Sequence, residues 1–283
     1  MEGARRRPSQ PPGRPDKQFF AGGSVIELPN LATFSTVMAE PRFIAGVGAA
    51  VLAGIVRGFS GFGSALIYVP LMAAIYDPKI ATVSFVIADY LSMSPYFVQA
   101  FRKCHWRDVL PAFLAAATTV PLGTMLQKTA DPIALRWGMA AFVTLFVVLL
   151  AAGWRYHSKP NMAGAIGAGA LSGIAGGATQ MSGPPLILFW LSGPHPAPAV
   201  RFNLMACLAL IGFTLVLSYA IQDLFKATPI ALGLLLWPIY IVSVFLGATL
   251  FGRTSDRSYR RIAYLIIAAS AVFSLPLFDS WFR

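Results

Sequence analysis

Charge is what this chain has least of. Only 12% of its 283 residues are Asp, Glu, Lys or Arg, where a soluble domain carries about 25%. Cysteine is scarce too: Cys104 and Cys207 make neither a disulfide framework nor a metal-ligand spacing. The three histidines, His105, His157 and His195, fall in separate loops, so no metal is expected, and no cofactor. Catalytic signatures are lacking as well. Gly58-Phe59-Ser60-Gly61 has no G-x-S-x-G spacing and no strand before it, and no glycine cluster lies in a βαβ context. The sequence therefore does not read as an enzyme.

What is present is apolar. Hydrophobic residues make up 57% of the chain and its mean hydropathy is +0.66, which reads as an all-α polytopic membrane protein. The net charge of +11 does not point to nucleic acid, because the basic residues cluster between apolar runs. They fall at Arg102, Lys103 and Arg107, at Arg155 and Lys159, and at Arg253, Arg257, Arg260 and Arg261. Cytoplasmic loops that orient a membrane protein have that placement. Residues 1–40 read as a disordered Pro/Arg-rich tail. Pro8 to Pro15 follow its arginines and exclude a signal peptide, and Met38 is an alternative start.

From Phe43 onward the chain divides into apolar segments at about 43–76, 80–101, 109–127, 133–153, 162–192, 199–222, 229–251 and 261–279. The first and fifth would each be about 50 Å long as one straight helix, and each is broken by glycine and polar residues. One break is Arg57-Gly58-Phe59-Ser60-Gly61-Phe62-Gly63-Ser64, before Pro70; the other is Gly173-Ile174-Ala175-Gly176-Gly177-Ala178-Thr179-Gln180-Met181-Ser182-Gly183-Pro184-Pro185. Gly63 falls on Gly183 when the chain is shifted by about 120 residues, and the order of one broken segment and three plain ones then repeats. Two homologous halves are expected, 41–157 and 158–283, each a broken, re-entrant helical hairpin plus three transmembrane helices. The basic loops share one face only if the broken segments are hairpins, which makes the repeats inverted.

Interrupted helices at matching places in two halves are the pattern of a secondary transporter. A break inside a bilayer leaves backbone groups unpaired unless protein or water satisfies them, so it belongs along a cavity. Free N–H groups at half-helix N-termini suit an anion. The structural alternative is that the glycines only let helices pack closely. The candidate substrate-binding residues are Arg57, Ser60, Gly61, Gly63, Ser64, Thr179, Gln180, Ser182, Gly183, Arg201 and Asn203. Either arginine can instead be an interfacial anchor. Asp89, the carboxylate deepest in a span, is a candidate coupling group or a structural partner for a buried arginine.

These glycine-rich breaks resemble those of the sulfite exporter TauE/SafE family of membrane anion permeases. The matching residues are Gly54, Gly58, Gly61, Gly63 and Pro70, then Gly173, Gly176, Gly177, Gly183, Pro184 and Pro185, and the resemblance covers about 43–280. It implies a secondary transporter of sulfite, an organosulfonate or a related carboxylate in a bacterial inner membrane. That transporter would work by alternating access around a site between the broken helices. The family often has three consecutive glycines at each break; GFGS and MSGPP stand here instead, which loosens the inference to sulfite itself. An anion channel and a non-transporting membrane subunit or sensor are the rival readings. The partners expected are a small anion and the lipid bilayer, with a homodimer compatible and no nucleic acid.

Overall fold

A computed structural model describes residues 26–60, 63–152, 161–190, 196–251 and 272. Among them the chain is helical throughout, with ten helices and no strand. Five are long and apolar enough to cross a membrane: Trp106–Thr129, Pro132–Leu149, Met162–Thr179, Pro198–Ile221 and Ala227–Thr249. The protein is thus an all-α polytopic membrane protein. The expected span at 261–279 lies outside the described residues.

The first helix corrects the expectation for the tail. Leu31–Ala39 form α1 inside the stretch expected to be disordered, started by a capping box in which Asn30 Oδ1 accepts the Thr33 N–H at 2.8 Å. Such a cap satisfies N–H groups that no preceding turn can reach. The α1 helix packs on α10 (Ala227–Phe251) and meets α2 (Arg42–Ser60) at 88°. Residues 1–25 lie outside the described residues.

Both long segments are broken where expected. The first gives α2 and α3 (Ala65–Ile75), the second α7 (Met162–Thr179) and α8 (Gly183–Trp190). Between and after them run α4 (Pro78–Lys103), α5 (Trp106–Thr129), α6 (Pro132–Ala151) and α9 (Ala197–Ile221). Caps hold several starts: Asp77 accepts from Lys79 N–H at the head of α4, Asp131 from Ile133 and Ala134 N–H at α6, and Asn161 from Gly164 N–H at α7.

Contacts between helix ends fix the directions. The His105 N–H donates to Asn203 Oδ1 at 2.7 Å, setting the start of α5 beside the start of α9, and Thr124 meets Ser218 at 2.6 Å near their far ends. Helices α5 and α9 are therefore parallel. We term the face that holds their ends and the start of α4 the first face, and the opposite one the second. Helix α7 runs along α5 in the same sense, with Gly169 against Ala112 and Gly177 against Val120 and Thr124. Because α9 starts again at the second face, the chain turns back after α7, and α8 lies in that return. The α2–α3 pair opens the other way. Gly46 near the start of α2 lies against Met72 and Tyr76 at the end of α3, with the Arg42 guanidinium 5.1 Å from the Tyr76 ring centroid. Tyr76 leads into α4, so that hairpin opens on the first face.

Small residues hold each hairpin in place. A methyl group on Gly54 or Gly58 would overlap the α10 backbone at Tyr240 and Val244, and one on Gly247 would overlap Ile55. In the same way Gly169, Gly173 and Gly177 of α7 press on Ala112, Ala116 and Val120 of α5, and Gly123 on Ile174. In lipid, where apolar burial gives little drive for helix association, this backbone-to-backbone approach supplies the dispersion contact. One core gathers α2, α3, α6, α10 and part of α4; a second gathers α5, α8, α9 and the rest of α4.

Candidate functional site

The backbone at the two breaks is bent by residues able to bend it. Gly63 has φ 90°, a left-handed conformation that an L side chain rarely adopts, and Ser64 follows it at the start of α3. At the other break Gln180 has φ 62° without being glycine, which costs roughly 1–2 kcal/mol. Its Nε2 donates to the Tyr219 hydroxyl at 3.0 Å and its own N–H closes α7 on the Gly176 carbonyl at 2.8 Å, which offsets part of that cost. Each break joins a helix C-terminus to a helix N-terminus, so their dipole fields oppose one another. Pro184 and Pro185 carry no N–H, so the first turn of α8 offers fewer backbone donors than the sequence reading assumed.

Both breaks open into one cavity of about 80 Å³, room for a few waters or an anion of similar bulk. Gly63, Ser64, Ala65 and Leu66 line it from the first break; Gln180, Met181, Ser182, Gly183 and Pro184 line it from the second. Helix α4 adds Phe85, Val86, Asp89 and Tyr90, α9 adds Leu208, Ile211, Gly212 and Leu215, and α2 adds Arg57. The wall is thus mostly apolar with a few polar groups converging on it, the common make-up of a small-ligand site.

The charged pair of the cavity spans two elements. Arg57 Nη2 lies 3.3 Å from Asp89 Oδ2, with side chains 12% and 20% exposed. The Tyr240 hydroxyl, from the middle of α10, donates to the other carboxylate oxygen at 2.6 Å. Asp89 is therefore held on both oxygens, while Arg57 Nε is buried and has no protein partner. The hydroxyls of Ser64 and Ser182, one at each break, are also buried without a close acceptor, Ser64 lying beside the Tyr240 hydroxyl. Three buried donors without acceptors, all from residues that line one small cavity, are a costly arrangement unless a ligand or water accepts from them.

The remaining candidates are distributed as follows. Thr179 donates to the Ala175 carbonyl at 2.7 Å in its own helix and does not line the cavity. Ser60 ends α2, and Gly61 lies outside the described residues. Arg201 is exposed and sits away from the cavity, in a surface depression with Tyr96, Gln99 and Phe202. Asn203 is fully buried near the second face, where it accepts the His105 N–H. The cavity also uses residues the sequence reading did not single out. Tyr240 fixes Asp89, and the Tyr90 ring is seated against Gly212, where any side chain would displace it. The sequence hint for Tyr240 was indirect: a carboxylate deep in a span needs donors. Nine tyrosines were available to supply one.

The sequence model of the family described as "Sulfite exporter TauE/SafE" matches residues 46–274. That range takes in both breaks and every described residue that lines the cavity. No curated protein and no solved structure matches the chain.

Proposed function

The chain belongs to the sulfite exporter TauE/SafE family, membrane transporters of sulfur-containing anions, and on that premise we propose how this member works. It is a secondary transporter in a bacterial inner membrane that moves a small anion (sulfite, an organosulfonate or a related carboxylate) by alternating access. The observation that carries this reading is the convergence of both helix breaks on a single cavity. There Arg57 Nε, Ser64 Oγ and Ser182 Oγ stand without acceptors. An oxyanion supplies acceptors to all three, and the guanidinium supplies the charge. The packing also supports two inverted repeats. Exchanging α2, α3, α4 and α5 for α7, α8, α9 and α10 turns each close helix pair into another: α2 on α10 becomes α7 on α5, and α4 on α10 becomes α9 on α5.

On this reading Asp89 is the coupling group, and its pairing with Arg57 supports that. With the pair intact the site is close to neutral, and an anion must compete with the carboxylate for the guanidinium. A proton on Asp89 removes the competitor, so anion and proton enter together. Methanesulfonate, which stays monoanionic across the accessible pH range, is a suitable probe. In a thermal-shift titration it should bind the wild type more tightly as pH falls. Asp89→Asn should bind tightly with no such pH dependence. The neutral pair Arg57→Gln/Asp89→Asn should fold and lose binding. The double variant is preferred to Arg57→Ala, which strands a carboxylate at a cost of about 3 kcal/mol. Saturating ligand, at about 100 times its Kd, stabilises the native state by about 2.7 kcal/mol, so binding is readable. Binding that survives in the double variant would move the site elsewhere, and flux that rises linearly without saturation would favour a channel.

A further inference from the structure

The second face carries a surface depression that the central cavity does not use. It lies between the end of α4 and the start of α9, measures about 450 Å³, and is lined by Tyr96, Gln99, Pro198, Arg201, Phe202 and Met205. Lys103 Nζ sits 5.2 Å from the Phe202 ring centroid, so a second cation stands at its edge. The two helices set these groups at graded depths. Lys103 ends α4, and Pro198 stands in the first turn of α9. Gln99, Arg201 and Phe202 come about 5–6 Å further in, and Tyr96 and Met205 about 10 Å, at about 1.5 Å per residue. Cations and an amide thus lie toward the headgroup level, and aromatic and thioether surface toward hydrocarbon. Val98 and, deeper, Leu91 are exposed apolar side chains on the same helix.

Interfacial anchoring alone does not account for this arrangement. An anchoring arginine carries its charge to water over apolar surface and needs no second cation nearby. Here Arg201 lines the depression and Lys103 covers the ring of its neighbour Phe202. Among the described residues neither forms an ion pair, whereas Arg42, Arg57 and Lys226 each do. Asp108, in the first turn of α5, is the one carboxylate described at this face, and it does not line the depression. Like charges brought together repel, and an anion between them relieves that cost. The basic clusters of the second face mark it as the cytoplasmic side. A bilayer there offers phosphate esters joined to acyl chains, and basic pockets between helices on that side take such headgroups.

We propose that this depression binds an anionic phospholipid of the cytoplasmic leaflet. Arg201 and Lys103 hold its phosphate, Gln99 donates to an ester or glycerol oxygen, and Tyr96, Phe202 and Met205 carry the first part of an acyl chain. The test titrates full-length protein in detergent with palmitoyl-oleoyl phosphatidylglycerol and with phosphatidylcholine of the same chains, counting bound lipid by native mass spectrometry. Expected is a first phosphatidylglycerol held roughly tenfold more tightly than phosphatidylcholine, since each surface cation adds to anionic-lipid affinity. Lys103→Gln/Arg201→Gln, at two exposed positions, should abolish that preference. Gln99→Glu sets a carboxylate in the depression with both cations still present, and should weaken phosphatidylglycerol binding roughly tenfold. Arg102→Gln/Arg107→Gln removes the same charge from the same face outside the depression, and should leave the preference in place. Equal affinity for the two lipids overturns the site, as does a preference that survives Lys103→Gln/Arg201→Gln. An equal loss in the two double variants also overturns it, because attraction to the whole face then suffices. Displacement of the lipid by glycerol 3-phosphate would make the occupant a soluble phosphate ester and overturn the lipid assignment. None of the substituted residues lines the central cavity, so this result and the transport reading can fail separately.

Discussion

Arg57, at the break inside the first apolar segment, and Arg201, in the opening turns of the sixth, both began as candidates, and the structure treats them differently. Helix rotation decides the matter. Arg57 turns inward in the last turn of α2, where a carboxylate waits, and Arg201 turns outward in the first turns of α9. Sequence cannot give that rotation, since it depends on which face of each helix packs on its neighbour. Asp89 was legible as an exception among apolar residues, but its partners lie 32 and 151 positions away, beyond any local pattern. Tyr240 is the residue whose role is most easily measured. Tyr240→Phe preserves the ring and deletes the donor to a largely buried carboxylate, a loss of about 1.5–3 kcal/mol. The expected result is a lower melting temperature without ligand. A Tyr240→Phe protein as stable as wild type would mean that the 2.6 Å contact contributes nothing.

The boundaries of the plain helices were largely legible from runs of about 20 apolar residues between charged or proline-bearing turns. Both breaks were legible for the same reason, glycine and polar residues in the middle of such runs. Two things were not. Helix α1 is short and carries no transmembrane pattern; its signal was the Asn30–Thr33 capping box, set in a stretch whose proline and arginine content suggests disorder. The second was the division of labour among the glycines. Gly54, Gly58, Gly173 and Gly177 carried the resemblance to the family, and they seat α2 on α10 and α7 on α5. Among the described residues of that break, Gly63, only five residues past Gly58, is the glycine with a left-handed backbone. Gly177→Ala should therefore cost about 1–3 kcal/mol by overpacking and lower the melting temperature. Gly48→Ala is the control: its added methyl group meets nothing within 4 Å, and the gain in helix propensity is about 1 kcal/mol. If both substitutions shift the melting temperature alike, close packing is not what Gly177 supplies.

At the scale of the molecule, the charges agree with an orientation in which the second face is cytoplasmic. Arg102, Lys103 and Arg107 lie there, while Lys79, Lys128 and Lys226 on the first face sit among Asp77, Asp131 and Asp223. Each hairpin is seated on a helix from the opposite half of the chain, α2 on α10 and α7 on α5. The two halves of the sequence are therefore interleaved in space rather than packed as two separate bodies. The helices that pack most closely are thus α2 with α10 and α7 with α5, and α4 touches both α10 and α9. The same cross-seating says what would happen if the gene were cut in two. A fragment ending at Ala152 would bear α2 and α5 with their glycine and alanine faces bare, and the remaining fragment would bear α7 and α10 likewise. Neither should survive alone in the membrane. Expressed together, the fragments should find each other without a covalent link, be recovered as a one-to-one complex on one purification tag, and restore transport, as though the single chain were already a dimer joined by a tether.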